Sequence, residues 1–81
     1  METRIGVVGI VVEHREDTVS QLNNILSDHA GIIVGRMGIP YRERGIFVIS
    51  LIIDGTTDQI GSLTGKLGNL PGVHVKTAIT K

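Results

Sequence analysis

The chain contains no cysteine. That absence excludes disulfides, thiolate metal sites and a cysteine nucleophile. Aromatic residues are nearly missing as well, with Tyr41 and Phe47 alone, and charge of one sign does not dominate: Lys plus Arg and Asp plus Glu are both 8. A nucleic-acid grip draws on a basic stripe for phosphates and often on aromatic platforms for bases, so direct nucleic-acid binding is not expected. Long hydrophobic runs are absent too. The opening METRIGVVGIVVEH has one early arginine and a short apolar stretch that ends in charge. It is too short to span a bilayer and lacks the layout of a signal peptide, so no membrane association is expected and the cytoplasm is the default location.

What is present is a chain of 81 residues, 41% hydrophobic and 20% charged. This composition suits one globular domain over residues 1–81, of a size that is often helped by association. RIGVVGIVVE (4–13) is rich in Val and Ile and reads as a buried strand. From Thr18 the period changes to helical, with Val19, Leu22 and Leu26 on one face and Ile25 beside them. Thr18-x-x-Gln21 is a candidate capping box, Glu16 and Asp17 place negative charge just ahead of it, and Gly31 is a natural stop. GIIVGRMGI follows as a second strand, ended by Pro40, and GIFVISLIID (45–54) as a third. Thr56-x-x-Gln59 then opens a second helix carrying Ile60, Leu63, Leu67 and Leu70. Pro71-Gly72 breaks it, and VHVKTAIT (73–80) alternates as a fourth strand.

Strand, helix, strand, strand, helix, strand is the order of an α+β, ferredoxin-like βαββαβ sandwich. It predicts a four-stranded antiparallel sheet of order 4-1-3-2 with two helices on one face. In that topology the end of strand one, the turn between strands two and three, and the start of strand four meet at one edge. His14, Arg15, Glu16 and Asp17 fall there, as do Tyr41, Arg42, Glu43, Arg44 and His74. The third strand is apolar on both faces, with Phe47, Ile49, Leu51 and Ile53 on one and Ile46, Val48 and Ile52 on the other. Two helices cover only one face of such a sheet, so a second chain is expected on the other, giving a dimer or tetramer through the open sheet face or helix edges.

The stretch GRMGIPYRERGIFVISLIIDG, followed by LTGKLGNLPGVHVKTA, resembles the small iron-only hydrogenase system regulators. These are stand-alone ACT-like domains similar to the C-terminal domain of the nickel-responsive repressor. The resemblance rests on Arg36-Met37-Gly38-Ile39-Pro40-Tyr41 and Thr64-Gly65-Lys66-Leu67-Gly68. It implies an ACT-like fold, self-association and a regulatory role, with no established reaction. Amino-acid-binding ACT domains commonly carry Asp-x-Pro-Gly after the first strand, where this chain reads His14-Arg15-Glu16-Asp17-Thr18. The repressor domain uses His-x-His and a cysteine for its metal, and this chain has neither pattern.

The charged tip holds the candidate effector site: His14, Arg15, Tyr41, Arg42, Arg44 and His74. Guanidinium forks suit carboxylate and phosphate, so a small anionic effector is the candidate ligand. The plainer reading of Arg42-Glu43-Arg44 is a solvated hairpin turn, and Tyr41 is expected to pack at a subunit contact. His14 and His74 read as surface histidines at strand ends in preference to a metal pair, since a closed site wants three or four ligands. His29 reads as a cap-region residue at the end of the first helix. Gly61, Gly65 and Gly68 are expected to form a small face that lets a partner helix approach; the full phosphate-loop pattern is absent around Lys66. Ser20, Ser27, Ser50 and Ser62 show no His–Asp partner spacing, and no acid–base carboxylate couple stands out. The chain therefore reads as a non-enzymatic regulatory or ligand-sensing module without cofactor or metal, acting as a homo-oligomer. The alternative is a structural protein-interaction module with no small-molecule effector.

Overall fold

The computed structural model describes residues 2–13 and 16–81, the side chain of Glu16 excepted. The elements run β1 (Arg4–Glu13), α1 (Glu16–Asp28), a 3-10 turn (Ala30–Ile32), β2 (Ile33–Tyr41), a second 3-10 turn (Arg42–Arg44), β3 (Ile46–Gly55), α2 (Thr57–Gly68) and β4 (Val73–Ile79). The sheet order is β2-β3-β1-β4, which is 4-1-3-2 read from the other edge, and each neighbouring pair is antiparallel.

Strand alternation sorts the apolar residues into two faces. Val8, Ile10 and Val12 of β1 and Ile49, Leu51 and Ile53 of β3 are buried beneath Leu22 and Leu26 of α1 and Ile60, Leu63 and Leu67 of α2. Phe47 is half-buried at the margin of this core. Burial of each such side chain contributes about 1.5–3 kcal/mol relative to exposure. The other face carries Ile5, Val7, Met37, Ile39, Tyr41 and Ile52, all exposed in the single chain.

α2 begins as its sequence pattern predicts. The Thr56 hydroxyl accepts from the Gln59 backbone N–H at 3.2 Å, and the Gln59 side-chain oxygen accepts from the Thr56 N–H at 2.8 Å. The equivalent expectation for α1 is overturned. That helix starts at Glu16, so Thr18 lies inside the first turn and cannot cap it. Thr18 shares the inner face with Leu22 four residues on; it is buried, and its hydroxyl donates to the Pro71 carbonyl at 3.4 Å. Asp17 consequently sits within the first turn, where the helix dipole favours it.

Two expected stops also move. α1 ends at Asp28, three residues before Gly31, which lies in the 3-10 turn with no left-handed φ. The His29 N–H is shared between the Ile25 and Leu26 carbonyls, and its Nδ1 lies 2.8 Å from the Ile25 oxygen, so the imidazole satisfies the helix end. β2 continues through Pro40, which pairs with Phe47, to Tyr41. Proline is tolerated because β2 is an edge strand and needs no outward donor. In α2, Gly61, Gly65 and Gly68 face outward, and a Cβ at any of them meets nothing within 4 Å. Among the described residues no helix packs against that small face.

Candidate functional site

Register places the tip. Glu13 at the end of β1 pairs with Ile46, Tyr41 at the end of β2 pairs with the same Ile46, and Val73 at the start of β4 pairs with Val12. The end of β1, the β2–β3 turn and the start of β4 therefore share one end of the sheet. Two left-handed glycines shape it. Gly45, φ 64°, closes the Arg42–Arg44 turn, its N–H donating to the Arg42 carbonyl at 3.1 Å. Gly72, φ 73°, leads into β4, and its carbonyl accepts from the Glu13 N–H at 2.9 Å.

His74 Nε2 stands 3.6 Å from Glu13 Oε1. Both side chains are exposed, so the pair is worth little as a stabilising contact. Glu13 was not among the expected site residues. Its position as the last residue of β1, opposite the strand that carries His74, is the signal that would have found it. Tyr41 is 43% exposed, and Arg42, Glu43 and Arg44 are all exposed. Among the described residues, Arg42 and Arg44 make no ion pair. His14 and Arg15 lie outside the described residues.

Among the described residues the tip spans the width of the sheet. Tyr41 and the arginine turn belong to β2 and β3, whereas His74 belongs to β4, with β1 between β3 and β4. At about 4.8 Å per strand, β2 and β4 lie roughly 14 Å apart. The structure thus brings Glu13 to His74 and Tyr41 to the arginine turn, with Glu13 and Tyr41 on either side of Ile46. No group of three or more metal-ligating side chains occurs among the described residues.

Two shallow clefts lie at the opposite end of the sheet. One, about 300 Å³, is bordered by Leu26, Ser27, Val34 and Arg36. The other, about 320 Å³, is bordered by Asp28, His29, Gln59 and Ser62. A carbonyl only accepts, so His29 Nδ1 is the donor to Ile25, and a neutral ring turns an unprotonated Nε2 outward. Sequence reasoning did not indicate either cleft, because each depends on how α1 and its following turn sit against α2 or β2. No helix among the described residues is long and apolar enough to cross a membrane.

Comparison with known proteins follows this architecture. A solved structure of the protein TM1266 from Thermotoga maritima is 41% identical, with TM-score 0.96 over 99% of this chain and 100% of that one. The ACT domain of GTP pyrophosphokinase from Chlorobium tepidum superposes with TM-score 0.78 at 24% identity, covering 94% of this chain and 99% of that domain. The C-terminal domain of the MgtC protein from Mycobacterium tuberculosis does so with TM-score 0.72 at 12% identity, covering 95% and 87%. These last two likenesses concern the fold alone. Among curated proteins no sequence match is found. Residues 4–77 match the sequence profile of the TM1266-like family, provisionally described as an iron-only hydrogenase system regulator, and the chain, an ACT-like ferredoxin fold, belongs to that family.

Proposed function

We propose that this chain is a non-enzymatic regulatory module that senses a small anionic effector and works as a homo-oligomer in the control of a hydrogenase system. The family description supports the regulatory role, and the ACT-like fold supports ligand sensing. The observation that carries the ligand class is the rim at the sheet's end, where Arg42 and Arg44 are exposed without an ion pair among the described residues. Guanidinium groups with unused donors match the planar oxygens of carboxylate and phosphate. Tyr41 borders them, and His74 stands beside Glu13 at the start of β4. His14 and Arg15, next along the chain from Glu13, complete the proposed set.

The test is a thermal-shift screen of amino acids, nucleotides, inorganic phosphate and divalent cations, followed by calorimetric titration. A saturable rise with carboxylate- or phosphate-bearing compounds is expected. Arg44→Ala should weaken it by about tenfold, equivalent to ~1.4 kcal/mol, the scale of one charge-assisted hydrogen bond. Unchanged affinity in correctly folded Arg42→Ala and Arg44→Ala proteins would move the site elsewhere. A second reading, a protein-interaction module without an effector, is favoured by the apolar open face of the sheet. Partner binding with no saturable effector response in the screen would select it.

A further inference from the structure

The end of α1 breaks an electrostatic rule that α2 keeps. A helix presents partial negative charge at its C-terminus, where a cation is favoured and an anion is not. α2 follows this, with Asp58 in its first turn and Lys66 in its last. The last turn of α1 has no basic residue, and its final residue is Asp28. Among the described residues Asp28 makes no ion pair. This carboxylate borders the cleft of about 320 Å³ between the end of α1 and α2. A local rule broken without compensation inside the fold points to a partner outside it.

The other polar groups of the cleft include acceptors held in place. His29 Nδ1 donates to the Ile25 carbonyl at 2.8 Å, which fixes the ring and, in its neutral form, leaves the Nε2 lone pair unused. Gln59 Oε1 accepts from the Thr56 N–H at 2.8 Å and keeps a second lone pair. Its placement depends on Gly55, where a Cβ would stand 3.1 Å from Gln59 Oε1 and 3.0 Å from Ile32 Cγ2. Ser62 adds a hydroxyl, and the buried Ile32 adds an apolar surface. The positive end of α2 does not offset these groups, because the capping box and Asp58 already answer it.

We infer that this cleft binds a small organic cation, a primary ammonium on a short aliphatic stem. An ammonium carries three donors and no acceptor, which matches the Asp28 carboxylate, His29 Nε2 and the oxygens of Gln59 and Ser62. The stem lies against Ile32. A divalent metal fits less well, since closed sites take three or four protein ligands and no group of three or more metal-ligating side chains occurs among the described residues. An anion would meet both Asp28 and the negative end of α1. The cleft is at the small end of the ~300–1,000 Å³ range of ligand sites, which limits the stem to a few carbons. It lies at the opposite end of the sheet from the arginine turn, so the site is independent of the anion site proposed there.

The probe is n-butylammonium chloride, titrated into the isotopically labelled parent at fixed pH and ionic strength and read by amide NMR. Tetramethylammonium, which has the charge but no N–H donor, is the control. Saturable shifts centred on residues 28–32 and 59–62 are expected, with tetramethylammonium weaker by about tenfold, the scale of one charge-assisted hydrogen bond. Asp28→Asn keeps the shape of an exposed side chain and removes its charge. It should weaken butylammonium by a similar factor, about tenfold. Without amine it should raise the Tm, because the helix end loses an opposed charge. Shifts without saturation, or centred elsewhere, overturn the inference. So does equal binding of tetramethylammonium, undiminished binding by Asp28→Asn, or a lower Tm in that variant. Zinc chloride displacing butylammonium from the same residues would make the cleft a metal site and overturn the ammonium assignment.

Discussion

Gly65→Ala separates the two surfaces through which this chain could assemble. Gly65 lies in the interior of α2 (Thr57–Gly68), is exposed, and would place a Cβ with nothing within 4 Å. Its carbonyl accepts from the Asn69 N–H at 3.2 Å, a bond the added methyl leaves intact. In the isolated fold the substitution therefore removes only glycine's backbone penalty, about 0.8–1.0 kcal/mol relative to alanine in a helix interior. For a domain of this size that corresponds to a rise in Tm of roughly 4–8 °C. With the partner seated on the sheet, α2 stays free and the full gain appears. The assay is thermal and urea unfolding at several protein concentrations, with sedimentation of the same samples. A lower Tm, or a smaller assembly, would show that the small face of α2 is packed against another helix. The reasoning that places the interface on the open sheet would then fail.

Further outcomes follow from local geometry. Thr56→Ala removes one bond of a complete capping box and leaves the Gln59 N–H without its acceptor, so it should cost about 1 kcal/mol, up to ~2; Thr18→Val, which loses only a 3.4 Å contact, should cost less. Equal losses in urea unfolding would contradict the distinction drawn between two identical motifs. Gly72→Ala forces a side chain into a left-handed residue, φ 73°, with Glu13 Oε2 3.3 Å from the new Cβ. It should destabilise by about 1–2 kcal/mol, read as a lower urea midpoint, and a neutral result would mean the β1–β4 contact at the tip has room to adjust.

Much of the fold was legible because its signals are short-range. Alternation in β1 and β3, the three- and four-residue repeats of Ile60, Leu63 and Leu67, and the box at Thr56 each depend on residues within one element, where sequence spacing is spatial spacing. From these and the order of elements, the sheet topology and the convergence of three segments at one end could be argued before any coordinates. At other positions a neighbour from another element decides. Thr18-x-x-Gln21 has the same spacing as Thr56-x-x-Gln59, yet Thr18 faces the core and meets Pro71. Gly31 looked like a stop, but the imidazole of His29 ends α1 first. Pro40 continues a strand because that strand has no partner on its outer edge.

The candidate site divides in the same way. Composition and pattern alone determined that this is a small α+β chain with a charged tip and one surplus apolar sheet face, since burial preference and periodicity are properties of each residue and its near neighbours along the chain. They could not decide how far apart the charged groups stand. Only the tertiary structure sets Glu13 beside His74 and leaves β1 between the arginine turn and His74. Lateral distance in a sheet is counted in strands, and which strand lies between two others is fixed by packing against the helices, far from either residue in sequence.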